Sequence, residues 1–240
     1  MRRIPLPECL DNRMAVHCVS LCLDEEPHDA LPLLSEPERL TVSRYRQCAD
    51  RVRFAKTRAV TRILLSRRLD CPPQAIDIVP GACNKPEIKG IKGRKGHATP
   101  VPLFNVSHSG SLALIAIGDA TQLANLGVDI EQCDPALDPF QIADIGCTEP
   151  EKACLRHASD PLRTLYPIWV AKEAVLKAVG VGIPDHLQSV SIELRPGPEI
   201  GVHCHIADWH GMQGRALEVA EGYAAALAWR DRKNGEIANG

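Results

Sequence analysis

Four side chains in two short stretches carry the chemistry that this sequence offers most plainly. Asp129 and Glu131 lie in Leu126-Gly-Val-Asp-Ile-Glu131, and Glu173 and Lys177 lie in Trp169-Val-Ala-Lys-Glu-Ala-Val-Leu-Lys177. Val128 and Ile130 alternate with the two acids, the period of a strand with one buried face. Both carboxylates then point to one side, roughly 7 Å apart at the Cα atoms. Carboxylates held that close repel each other unless something positive sits between them. A hard cation such as Mg²⁺ meets that need, because it takes oxygen ligands and commonly binds through one or two carboxylates plus substrate phosphates. Taken alone, the same D-x-E pattern suits an edge strand with a solvated acidic face. Glu173 and Lys177 stand one helical turn apart. At a surface they would be an ordinary ion pair. In a helix as apolar as residues 168–179, they are placed to line a cleft.

The elements that must position these groups can be read in order. Residues 14–23 read as a strand, and residues 24–37 as an acidic, Pro-containing loop ending in the helix start Ser35-Glu-Pro-Glu38. The pattern predicts one helix from Arg39 to Leu69, with Phe54, Val60, Ile63, Leu64 and Leu65 on its apolar face. Its other faces are dense in Arg and Lys, including Arg44, Arg53 and Arg58, with only Asp50 opposing them. Such a run is either a solvated face or a phosphate-binding surface built on bidentate Arg forks. Residues 75–79 read as a short strand. Residues 81–102, with Lys85-Pro86 and a run of Lys, Arg and Gly over 89–96, read as a loop that is not a Walker loop. Residues 103–118 form a hairpin turning at Ser109-Gly-Ser111. Ser107 and His108 are adjacent on a strand and face opposite ways, so they cannot share a proton as nucleophile and base. Thr148-Glu-Pro-Glu151 opens a further helix, residues 164–180 form the strongest one, and four short strands close the second half as a meander. The tail 231–240 is expected to be disordered.

Composition narrows the class. At 240 residues and a formal net charge of −2, the chain is no polycation, and it holds enough residues for a substantial core. The first residues lack the apolar region of a signal peptide, and no apolar run reaches the length of a membrane span. The ten cysteines include no C-x-x-C pair, so they read as mostly buried thiols in a reducing cytoplasm rather than as a zinc site or a disulfide framework.

Three segments stand in order: Phe104-Asn-Val-Ser-His-Ser109, Gly127-Val-Asp-Ile-Glu131 and Trp169 to Lys177. With Lys85-Pro86 and the Arg-rich segment around Asp50-Arg-Val-Arg-Phe54, the set resembles the 4′-phosphopantetheinyl transferases of the single-chain, Sfp-like type. The resemblance covers about residues 39–195. Asn84 stands where the family often has Gly, and Gly146-Cys147 where an aromatic pair is usual. The resemblance implies an α/β (α+β) fold of two similar halves related by pseudo-twofold symmetry. Residues 1–120 would carry the basic helix and the coenzyme A grip, and residues 121–240 the metal-binding carboxylates.

It also implies transfer of the phosphopantetheine arm of coenzyme A to a serine of an apo acyl or peptidyl carrier protein, by a cytoplasmic enzyme, a monomer, without nucleic acid or membrane. Asp129, Glu131 and Glu173 would hold Mg²⁺. Lys177 would steady charge on the leaving phosphate, and Glu173 or a water on the metal would accept the serine proton. Arg44, Arg53, Arg58, Lys85, Ser107 and His108 would grip coenzyme A. A metal-dependent phosphodiesterase acting on coenzyme A-like pyrophosphates would use the same carboxylates. A nucleic-acid-binding module would use the basic helix but leave the acids without purpose.

Overall fold

The computed structural model describes residues 1–92 and 100–233. Residues 93–96 of the basic loop and 234–240 of the tail therefore lie outside the described residues.

The elements run β1 (Arg2–Ile4), α1 (Glu8–Asp11), β2 (Met14–Ser20), α2 (Glu36–Arg44), α3 (Cys48–Leu69), β3 (Ile76–Pro80), β4 (Pro86–Ile91), β5 (Leu103–Ser109), β6 (Leu112–Gly118) and β7 (Leu123–Gln132). They continue with α4 (Pro139–Gly146), α5 (Glu149–His157), α6 (Pro161–Val179), α7 (Ile183–His186), β8 (Val190–Leu194), β9 (Glu199–Cys204), β10 (Met212–Ala216) and β11 (Tyr223–Asp231). One sheet has the order β1-β2-β6-β5, a second β7-β11-β10-β9-β8, and β3 and β4 pair as a separate hairpin.

The two large sheets face each other, each with a long helix on its outer side. β6 is buried on both faces. Ala113, Ile115 and Ile117 pack with Val52, Leu64 and Leu65 of α3, while Leu114 and Ala116 pack with Val128, Ile130 and Leu227 of the second sheet. The other face of the second sheet meets α6 through Ala171, Ala174, Val175 and Ala178. Because Val128 and Ile130 point between the sheets, alternation turns Asp129 and Glu131 toward α6.

A repeated device fixes the helices. A capping box opens α2, Ser35 with Glu38, and another opens α5, Thr148 with Glu151. In each box the glutamate also binds a fully buried cation on the long helix: Glu38 Oε2 lies 2.7 Å from Arg62 Nε, and Glu151 Oε2 lies 2.8 Å from Lys172 Nζ. Arg62 then donates to the carbonyls of Pro73 and Ile76 at 2.6 and 2.9 Å. Lys172 donates to those of Leu187 and Val190 at 2.8 and 2.6 Å. Both cations tie the long helix to the chain entering the next strand. Neither pair is surface decoration, since removing one partner of a buried pair costs on the order of 3–5 kcal/mol.

Four sequence expectations are corrected here. The single helix over 39–69 is two helices, broken at residues 45–47, where Arg51 Nη1 donates to the carbonyls of both Tyr45 and Arg46 at 2.9 Å. Residues 86–91 of the expected loop form β4 against β3. Of the ten cysteines only Cys18 and Cys147 are buried, and four are exposed. Asp231, expected in a disordered tail, ends β11.

Candidate functional site

The site begins where the two sheets meet edge to edge. β5 and β7 run side by side in the same direction, joined by side chains. Asn105 Oδ1 accepts from the Val128 amide at 2.9 Å, Ser107 Oγ donates to Asp129 Oδ1 at 2.7 Å, and Ser109 Oγ donates to Glu131 Oε2 at 2.7 Å. The alternation of Asn105, Ser107 and Ser109 thus matches the alternation of the acids. Ser109 and Asn105 were not singled out from sequence, although their period-two spacing with Ser107 carries that signal.

On the other side α6 closes against β7. Gly127 allows the approach: a Cβ there would lie 2.1 Å from the Ala174 carbonyl oxygen. At this distance Glu173 reaches the strand acids, and one carboxylate oxygen each from Asp129, Glu131 and Glu173 falls within 4.8 Å of the others. Among the described residues these form the only such group of possible metal ligands. Lys177 Nζ donates to Asp129 Oδ1 and, at 3.0 Å, to Ser107 Oγ; it stands 3.9 Å from Glu173 Oε2.

The electrostatics of this cluster are strained. Asp129 is fully buried, and its Oδ2 has no hydrogen-bond partner. Glu173 is pushed up to about 7, first by burial and then by Asp129, with Glu131 adding and Lys177 opposing. Burial also raises Glu131, against the Ser109 hydrogen bond. An all-oxygen donor set, crowded negative charge and an orphaned buried oxygen fit a hard divalent cation.

Lys177 is also the border between the acids and a cavity of about 240 Å³ whose wall includes Arg53, Arg58, Thr57, Ser107 and His108. Arg53 is held by the Gly110 carbonyl and by Asp50, both at 3.0 Å. Burial lowers the pKa of Arg58, with Glu38 opposing.

Two of the expected grip residues are not on this wall. Arg44 is exposed in the last turn of α2. Lys85 donates to the Ala178 carbonyl at 3.1 Å, near the end of α6, and burial pushes it down to about 8. Nor does Asp50 alone oppose the basic helix: Glu26 pairs with Arg51, Asp29 with Lys56, and Glu38 with Arg58 and Arg62. Those acids come from the segment before α3, which linear spacing does not connect to it.

Fold and site together define a mixed α/β protein with an oxygen-only acidic centre beside a cationic cavity. Comparison with known families then specifies it. Residues 125–228 match the 4′-phosphopantetheinyl transferase superfamily, and residues 23–119 match the 4′-phosphopantetheinyl transferase N-terminal family. The 4′-phosphopantetheinyl transferase HetI of Nostoc sp. is 30% identical over 186 residues, 75% of each chain. The putative 4′-phosphopantetheinyl transferase slr0495 of Synechocystis sp. is 36% identical over 160 residues, covering 66% of this chain and 61% of that protein. The L-aminoadipate-semialdehyde dehydrogenase-phosphopantetheinyl transferase of Schizosaccharomyces pombe is 27% identical over 163 residues, covering 62% and 60%. The chain belongs to the 4′-phosphopantetheinyl transferase superfamily. It spans about three fifths of the length of the Synechocystis and Schizosaccharomyces relatives.

Proposed function

We propose that this chain transfers the 4′-phosphopantetheine arm of coenzyme A to a serine hydroxyl of an apo acyl or peptidyl carrier protein, releasing adenosine 3′,5′-bisphosphate. The observation that carries the reading is the convergence of Asp129, Glu131 and Glu173 with Lys177 at the edge of an Arg-lined cavity. The names of the Nostoc and Synechocystis relatives support it.

On this reading Asp129, Glu131 and Glu173 hold Mg²⁺. When bound, that ion supplies positive charge against the pyrophosphate oxygens. Arg53, Arg58, Ser107 and His108 line the space for the nucleotide phosphates, and Lys85 and Arg44 lie outside it. The serine oxygen forms a bond to the phosphorus that carries the pantetheine arm. The bond from that phosphorus to the oxygen of the nucleotide phosphate breaks. Glu173, or a water beside it, accepts the serine proton. Lys177 donates to the leaving phosphate, where negative charge grows in the transition state. Labour divides between the halves: residues 1–120 supply the cationic wall and residues 121–240 the carboxylates.

The chain works on this reading as a monomer in the cytoplasm, where its ten free thiols stay reduced. No described helix is long and apolar enough to cross a membrane. Incubation with coenzyme A and Mg²⁺, with and without an apo carrier protein, tests the assignment. Adenosine 3′,5′-bisphosphate should appear only when the carrier is present. Release of the same product without any protein acceptor would make the chain a phosphodiesterase instead.

A further inference from the structure

The two capping-box glutamates are built alike and spend their oxygens differently. Glu151 uses both: Oε2 takes the Thr148 amide and Lys172, and Oε1 takes the Ile192 amide at 2.7 Å. Glu38 uses Oε2 in the same way, on the Ser35 amide at 2.8 Å and on Arg62 at 2.7 Å. Its Oε1, however, is buried without a hydrogen bond and faces Arg58 Nη1 at 3.5 Å. That separation exceeds a hydrogen bond, so the ion pair leaves the guanidinium's donors unspent.

Arg58 lies one turn before Arg62 on α3, with its side chain 16% exposed and its guanidinium carbon 5.6 Å from the centre of the Phe54 ring. It forms part of the cavity wall beside Thr57, whose buried hydroxyl also lacks a partner. Two guanidiniums thus share one carboxylate, and the unmatched positive charge faces the cavity. An arginine this enclosed needs a counter-charge to stay in place before any ligand arrives, and Glu38 is the acid that reaches it. The second-half copy has no cation in the position of Arg58: Ala171, Val170 and Ile168 fill that turn of α6.

We propose that Glu38 is a positioning residue: it holds Arg58 in the cavity wall with free donors for a phosphate group of the substrate. The inference rests on the reading of coenzyme A as that substrate and adds the residue that orients the arginine. Arg58 touches the ligand, whereas Glu38 acts through Arg58 alone.

Calorimetric titration of coenzyme A into the wild type, Arg58→Met, Glu38→Gln and the double variant tests it. Loss of a charge-assisted hydrogen bond should weaken binding about tenfold or more in Arg58→Met. Glu38→Gln should weaken it about threefold to tenfold, and the double variant should bind no more weakly than Arg58→Met. A merely structural Glu38 predicts otherwise. Its effect on affinity would persist in full in the Arg58→Met background, or be absent in both, and either result overturns the proposal.

If Glu38→Gln fails to fold, the pair Glu38→Leu with Arg62→Met replaces the buried ion pair by apolar groups of similar volume. It should fold and show the same loss of affinity, and wild-type affinity there also overturns the proposal. Absence of coenzyme A binding by the wild type would sink the functional reading and this inference with it. Tight wild-type binding with an additive cycle would sink this inference alone.

Discussion

Ser107 and Asp129 lie on the edge strands of different sheets, and the hydroxyl of one donates to the carboxylate of the other at 2.7 Å. Ser109 and Glu131 repeat the contact two residues on, at the same distance. The acids of the second half are therefore held in place by hydroxyls of the first. The site exists only where the two sheets meet.

Asp129→Asn separates stability from activity. Asp129 is fully buried, so it is part of the strand's interior and not a solvated acid. Asparagine keeps its size and can still accept from Ser107, while the change removes a charge that pushes Glu173 up. If Asp129 holds the metal as proposed, transfer should fall by more than about a hundredfold. Without metal, the variant should be at least as stable as the wild type above pH 7. Urea denaturation in chelator alongside a transfer assay checks both outcomes.

On the proposed reading, Glu173 sets the pH dependence of Mg²⁺ binding. Its folded pKa of about 7 lies above the ordinary glutamate value of 4.5, so the stability it contributes is complete below pH 4.5. That contribution is lost as pH rises toward 7 in the metal-free protein. Metal must displace the proton. Mg²⁺ affinity should therefore rise about tenfold per unit from pH 5.5 to 7, then level off, with close to one proton released at pH 6. Titrations in buffers of different ionisation enthalpy count that proton. Affinity unchanged over this range would mean that Glu173 is not a ligand.

Gly127→Ala tests whether the close approach of α6 to β7 matters to the chemistry. The new Cβ would lie 2.1 Å from the Ala174 oxygen and 2.5 Å from the Ala178 nitrogen, both backbone atoms that cannot swing away. Moving α6 outward should cost on the order of 1–3 kcal/mol. It should also lower transfer more steeply than stability, because Glu173 and Lys177 travel with the helix. Denaturation midpoints and kcat, measured on the same samples, separate the two effects.

Much of this arrangement is legible in the sequence, and the unread part has a common cause. Alternation over Val128–Glu131 places the acids on one face, and apolar density around Glu173 and Lys177 marks α6. The capping boxes at Ser35 and Thr148 appear where their S/T-x-x-E patterns put them. What escapes is tertiary. Arg62 and Lys172 look like solvated charges until Glu38 and Glu151 fold onto them. The break after α2 has neither Gly nor Pro to announce it; it is held by Arg51 and by Tyr45, whose ring lies 5.8 Å from that of Phe54. β4 is masked by Pro86, Lys89 and Gly90, since its partner β3 supplies the pairing.

Lys177→Ala and Glu173→Gln should fail in different ways. A surface ion pair would cost a few tenths of a kcal/mol in either variant and nothing in rate. Lys177 instead contacts Asp129 and Ser107 at the cavity edge. On the proposed reading its stabilisation belongs to the leaving phosphate, so its loss should leave Mg²⁺ affinity unchanged or slightly improved while lowering kcat. Glu173→Gln should weaken Mg²⁺ binding, and added Mg²⁺ should restore activity only in part. Wild-type kcat in Lys177→Ala would remove it from the mechanism.

The most direct measurement is the intact mass of apo acyl and apo peptidyl carrier proteins after incubation with this chain and coenzyme A. With Mg²⁺ present, at least one carrier should gain the mass of one phosphopantetheine arm at a single serine. The gain should disappear in chelator and in Asp129→Asn. Carriers of unchanged mass, with the protein folded and coenzyme A intact, would contradict the account.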